Sequence, residues 1–130
     1  MTASKTIDLE FAEIEVYEHF VVSTIKEGVT FGKKYLQQLF EVFSTYYKDR
    51  PFVSIANRAY DYTIDPNLLS NYKHPELLGI AVVCHTDAAK KTALFEQKFY
   101  DGQFEIFDSI EEAKEWSLQL LGDHLKNAGL

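Results

Sequence analysis

The sequence predicts an α/β domain whose mixed sheet is parallel in its second half and carries helices packed on it. Two continuous apolar runs, residues 52–56 and 78–84, end abruptly in polar residues. A third run, residues 103–107, ends in Asp108 and opens a helical pattern. Continuous apolar strands that alternate with helices are typical of a parallel sheet covered on both faces. Ligands bind beyond the carboxyl ends of such strands, so a site is expected there.

The length and composition predict a single domain spanning residues 1–130, large enough to bury a core without disulfides. The net charge of −7 argues against nucleic acid, because phosphate contacts need clustered Lys and Arg. No run approaches the roughly 18 apolar residues of a membrane span, and the N-terminus lacks a secretory signal. We therefore expect no nucleic-acid partner, no membrane span and a cytoplasmic location.

The first quarter of the chain alternates apolar and polar residues. This alternation predicts an antiparallel meander of three strands, at about residues 5–11, 13–18 and 20–26. Gly28 then ends the meander, because glycine favours a turn.

A long helix is predicted over residues 30–48, with its first residue, a threonine, as the N-cap. Aromatic and leucine residues recur in it every three or four positions and form one apolar stripe. Pro51 ends this helix, since the residue before a proline avoids the helical region. After the strand at 52–57, Asp65 should cap a short helix that has Pro66 in its first turn.

The last part of the chain predicts a buried strand over 77–84, a helix capped by Thr86 or Asp87, and a strand over 103–107. Ser109 then begins a capping box, in which a serine and a glutamate three residues later satisfy backbone amides. These elements complete the alternation of strands and helices.

Large side chains on the inward faces should form the core. We expect the final helix to turn its apolar face inward and its tail to fray after Gly122. The residues expected to be largely buried are Phe40, Phe43, Ile106 and Trp116.

The order of elements and three junctions, at residues 26–30, 55–58 and 104–109, resemble the SpoIIAA-like domains. These are relatives of the STAS anti-sigma-factor antagonists and, more distantly, of CRAL-TRIO lipid-binding domains. The resemblance covers nearly the whole chain, and it implies a STAS-type fold rather than a particular reaction. Anti-sigma-factor antagonists carry a phosphorylatable serine after a central strand. The matching stretch here, residues 57–66, has its hydroxyl groups only on Tyr60, Tyr62 and Thr63.

The strongest candidate for a binding site is a cluster that follows the strand at 52–57. Arg58 could bind a carboxylate or phosphate through its fork, and the tyrosines offer rings with polar tips. Alternatively, Arg58 forms an ion pair with Asp61 or Asp65 that only holds a long loop in place. His85 follows the next strand, at the same predicted edge. The candidate site residues are therefore Asn57, Arg58, Tyr60, Asp61, Tyr62 and His85.

The sequence contains no coherent set of catalytic residues. Cys84 and His85 are adjacent on a strand and point to opposite faces, which makes them poor catalytic partners. The thiol also ends an apolar run, as core cysteines do. The histidines lack metal-site spacing, and there is no glycine-rich phosphate loop. We therefore expect no enzyme activity, no metal and no cofactor.

Two functions remain. The first is a non-enzymatic regulatory or scaffold domain that binds a protein partner through the loop rim and the adjoining helix, with a homodimer as one form of partner. The alternative is a small-molecule or lipid-headgroup binding module that uses Arg58, Tyr60, Tyr62 and His85. A closed hollow with a polar rim would favour the ligand, and a flat surface would favour the partner.

Overall fold

The computed structural model describes residues 3–129, which form one main sheet, a small separate ladder and helices on both faces of the sheet. The strands are β1 (Lys5–Asp8), β2 (Ala12–Val16), β3 (Phe20–Ile25), β4 (Thr30–Phe31), β5 (Phe52–Arg58), β6 (Thr63–Ile64), β7 (Leu77–Cys84) and β8 (Phe104–Phe107). The helices are α1 (Lys33–Tyr46), a short 3₁₀ helix (Pro66–Asn71), α2 (Asp87–Gln97) and α3 (Ile110–Asn127).

The main sheet has six strands in the order β1-β2-β3-β5-β7-β8. The strands β1, β2 and β3 form the expected antiparallel meander. The strands β3, β5, β7 and β8 are parallel, because each crossover passes through a helix. The mixed sheet predicted from the apolar runs is confirmed, and the carboxyl ends of its parallel strands share one edge.

The segment before α1 differs from the prediction. Thr30 does not cap a helix, because it lies in β4 and pairs with Thr63 of β6 in a parallel ladder. Gly28 adopts a φ of 75°, which turns the chain into this ladder at no steric cost. The helix α1 begins at Lys33, after Gly32 as its N-cap.

The other predicted N-caps are confirmed. The side-chain oxygens of Asp65, Thr86 and Ser109 each accept a hydrogen bond from a backbone amide in the first turn of the helix that follows. The second half of the predicted capping box differs, because the Glu112 carboxylate accepts from the Ser109 hydroxyl at 3.0 Å rather than from a backbone amide. The predicted fraying after Gly122 is wrong, since α3 continues to Asn127.

Apolar side chains fill both faces of the sheet. One face packs against α1, α2 and the 3₁₀ helix, and the other packs against α3. Phe43 is fully buried as expected. Phe40, Ile106 and Trp116 are only half-buried, because they lie at the margins of these two layers. The indole of Trp116 packs against the ring of Phe107, with centroids 5.6 Å apart.

A buried hydroxyl joins the end of α1 to the meander. Tyr47 is fully buried, and its ring stacks on that of Phe52 with centroids 4.3 Å apart. Its hydroxyl lies 2.6 Å from the Tyr17 carbonyl oxygen and 2.8 Å from that of Phe20. The single hydroxyl proton is therefore shared between two carbonyls at the turn between β2 and β3, and the Phe20 carbonyl also accepts from the Tyr17 amide at 2.9 Å.

We expect Tyr47→Phe to lower the free energy of unfolding by about 1–3 kcal/mol, because the buried Tyr17 carbonyl oxygen loses its side-chain donor and the Phe20 carbonyl keeps only the Tyr17 amide. The matched control is Tyr46→Phe, which changes a half-buried tyrosine at the neighbouring position. Urea denaturation measures both variants. Equal stability of the two variants would contradict the role assigned to the Tyr47 hydroxyl.

Candidate functional site

The pleat of the sheet divides the predicted site between two faces. Successive residues of a strand point to opposite sides, so Asn57 and Arg58 at the end of β5 diverge. Arg58 lies on the face that packs against α2, where it pairs in register with the buried Cys84 of β7. By the same alternation, Asn57 and His85 lie on the face of the sheet that packs against α3. The six predicted residues therefore do not form one patch.

Arg58 forms a buried ion pair with Glu96, a residue of α2. Its Nη2 donates to Oε1 of Glu96, and only 10% of the Arg58 side chain and 2% of the Glu96 side chain are exposed. Arg58 does not form an ion pair with Asp61 or Asp65, the partners expected from the sequence. A charge this deeply buried requires compensation, which the carboxylate supplies.

Tyr62 covers the guanidinium from the other side. The Arg58 guanidinium carbon lies 5.3 Å from the centroid of the Tyr62 ring, within the range of a cation–π contact. Burial raises the pKa of Tyr62, so its side chain is a neutral phenol at pH 7. Burial acts to lower the pKa of Arg58, but Tyr62 and Glu96 outweigh this effect and raise it. Since the phenol is neutral, Glu96 provides the counter-charge at pH 7.

An inner cavity of about 50 Å³ lies beside this ion pair. Arg58 and Glu96 are the charged residues among those that line it, and most of the others are apolar. The Nε of Arg58 is buried and has no hydrogen-bond partner. The apolar wall includes Ala56, Ile80 and Val82 from the sheet, Leu39 from α1, Ile64 from β6 and Leu69 from the 3₁₀ helix.

A groove of about 100 Å³ lies on the outer side of the same pair. Its floor and wall contain four of the predicted site residues, together with Ala88, Ala89 and Thr92 of α2. Arg58 and Tyr62 line both the groove and the inner cavity, and so separate the two spaces. The predicted residues in the groove are Arg58, Tyr60, Asp61 and Tyr62.

The loop that carries these residues is held by its backbone. The amide of Asp61 donates to the Glu27 carboxylate at 2.9 Å, and its carbonyl accepts from the Gly28 amide at 2.9 Å. The Asp61 carboxylate is thus left at the surface of the groove, where the side chain is exposed.

The remaining two predicted residues form a separate pair. The side-chain oxygen of Asn57 and Nε2 of His85 lie 2.8 Å apart, and His85 is exposed. His85 borders an open polar surface that also carries Lys90 and Asp108, which are joined by a salt bridge of 2.7 Å. Asn57 and His85 therefore belong to a polar surface distinct from the groove.

Sequence reasoning missed Glu96, the most buried ionisable side chain of this region. A usable signal was present, because Glu96 follows Ala89 and Ala93 at the spacing of a single helix face. Ala93 is fully buried, so a glutamate on that face must enter the core and find a cation.

Metal ligands are not grouped in the described part of the chain, where no three His, Cys, Asp or Glu side chains could jointly hold an ion. Within residues 3–129, no helix is long and apolar enough to cross a membrane.

The architecture resembles that of a known protein. A crystal structure of an uncharacterised protein of the DUF3478 family from Shewanella loihica PV-4, which has a SpoIIAA-like fold, superposes with a TM-score of 0.57 at 12% identity. The match covers 90% of this chain and 98% of that chain. The sequence matches no protein-family model and no curated protein. The chain thus has a SpoIIAA-like fold, as the resemblance of its junctions implied.

We expect either single substitution Arg58→Met or Glu96→Leu to lower the free energy of unfolding by about 3–5 kcal/mol, because each leaves a buried charge alone. The loss of unfolding free energy in the double variant should be smaller than the sum of the two single losses by more than about 1 kcal/mol. Urea denaturation at pH 7 measures all three variants. Additive losses would contradict a coupled pair, and Lys90→Met, which breaks an exposed pair, serves as the control with little expected change.

Proposed function

We propose that this protein is a non-enzymatic binding module for a small, mainly apolar molecule that enters between α2 and the loop after β5. The observation that carries the proposal is the apolar cavity beside the buried Arg58–Glu96 pair, with a surface groove directly outside it. Ligand sites are typically concave, mostly apolar and equipped with a few polar groups that fix orientation. This shape is the one expected of a ligand site rather than of a flat protein interface.

The size of the two spaces limits the ligand. A cavity of about 150 Å³ in another protein holds a benzene molecule, and the inner cavity here is about 50 Å³. The inner cavity, about a third of that volume, therefore takes only a methyl- or ethyl-sized part of a ligand, and a molecule of about ten non-hydrogen atoms would place the rest in the groove. A long acyl chain would require the core to open.

The neighbouring reactive groups support a role without catalysis. Burial raises the pKa of the Cys84 thiol, although Arg58 acts to lower it, so the sulfur stays protonated at pH 7. Tyr62 is likewise held as a phenol. Neither group is a nucleophile in that state. The proposal takes the protein to be cytoplasmic, where such a free thiol remains reduced.

A protein partner is the second candidate, because α2 exposes two large apolar side chains. Leu94 is 50% exposed and Phe95 is 52% exposed. Both lie on the helix whose opposite face carries Glu96, so ligand binding and partner binding would meet on one element. Sedimentation equilibrium of the wild type and of Phe95→Gln tests the form in which the partner is a second copy. Self-association that the substitution abolishes supports it, and a monomer in both cases argues against it.

The ligand proposal is tested with toluene, a small apolar probe, by titration of ¹H–¹³C methyl spectra. We expect saturable shifts at the methyl groups of Leu39, Leu69 and Val82. Val82→Leu adds a methylene at the cavity wall and should weaken binding by about tenfold or more.

The matched control is Val83→Leu, the same change at the next residue of β7, which points to the α3 face. This variant should bind toluene as the wild type does. Absence of saturable shifts in the wild type, or equal weakening by both variants, would overturn the proposal.

A further inference from the structure

The buried ion pair leaves Nε of Arg58 as a buried donor without an acceptor. Arg58 presents Nη2 to Glu96, but its Nε has no hydrogen-bond partner and is shielded from water. The residue is nine-tenths buried and lines both the cavity and the groove. A buried donor without an acceptor carries the full penalty of its desolvation. Because Nε is closed even to a molecule the size of water, a ligand brings an acceptor to it only when the Tyr62 ring over the guanidinium moves aside, and binding in that way would remove the penalty.

The charges around the donor determine which acceptor is suitable. Glu96 already compensates the positive charge of Arg58 inside the cavity. Asp61 adds a second carboxylate at the outer groove, and Arg58 is the one cation among the residues that line either space. A carboxylate or phosphate would therefore bring a further negative charge into a buried place where the cation is already paired. A cationic ligand such as an ammonium would present hydrogen-bond donors to Nε, which is itself a donor.

We infer that the ligand is a neutral molecule that combines an apolar body with a hydrogen-bond acceptor, such as a ketone, ester or amide carbonyl, directed at Nε of Arg58. This inference rests on the proposed function and names the class of ligand for that same site. It differs from the expectation that the fork of Arg58 is free for an anion, because the Glu96 carboxylate already accepts from Nη2 and balances the charge.

The test uses three probes of nearly equal shape. Acetophenone carries a carbonyl, α-methylstyrene replaces its oxygen with a methylene, and benzoate replaces its methyl group with a charged oxygen. We expect acetophenone to bind the wild type at least about fivefold more tightly than α-methylstyrene, because it satisfies a buried donor. Benzoate should bind more weakly than either. The Nε–H resonance of Arg58, followed by ¹H–¹⁵N spectroscopy, should shift with acetophenone and not with α-methylstyrene.

Two variants separate the donor from the charge. Arg58→Lys keeps a cation for Glu96 and removes Nε, so the preference for acetophenone over α-methylstyrene should disappear. Glu96→Gln leaves the guanidinium without its counter-charge, so benzoate should gain at least about tenfold relative to acetophenone. Glu115→Gln changes an exposed glutamate on α3 and should leave the order of the three probes unchanged.

The outcomes distinguish a wrong ligand class from a wrong binding function. Tight binding of benzoate by the wild type, or equal binding of acetophenone and α-methylstyrene, would overturn the inference and leave the binding module in place. Failure of all three probes and of toluene to shift any cavity resonance would overturn both. If either variant fails to fold, the wild-type order of affinities and the Nε–H resonance still decide the question.

Discussion

The buried pair of Arg58 and Glu96 is the constraint on which this end of the molecule depends. It joins the last residue of β5 to the inward face of α2, across 38 positions of sequence. Neither charge can remain in the core alone, so the strand end and the helix must meet in one arrangement. Tyr62 lies over the guanidinium, and the small apolar cavity lies beside it.

The division of polar residues between two faces follows from the geometry of a strand. Arg58 turns toward α2 and becomes buried, whereas Asn57 turns away and meets the exposed His85. Parallel strands bring their carboxyl ends to one edge of the sheet, but the pleat determines on which face of the sheet each side chain lies. Adjacent residues at one strand end therefore take part in a buried ion pair and in an open polar surface.

Much of the fold could be predicted because its signals are local. The apolar runs of β5, β7 and β8 and the capping residues Asp65 and Ser109 act within a few positions of themselves. The partner of Arg58 could not be found in that way, since Glu96 lies on another element and is recognised only once the face of α2 is known. The ladder of β4 and β6 also escaped prediction, because two pairs of residues carry no periodic pattern.

That ladder also bears on how easily the interior can be reached. It pairs only Thr30 with Thr63 and Phe31 with Ile64, whereas β5 pairs with β7 along its whole length. Phe31 and Ile64 both belong to the cavity wall. A segment with so few backbone hydrogen bonds separates at a much smaller free energy than the whole domain unfolds. The cavity therefore opens to solvent through this short wall at a lower cost in free energy than through the sheet behind it.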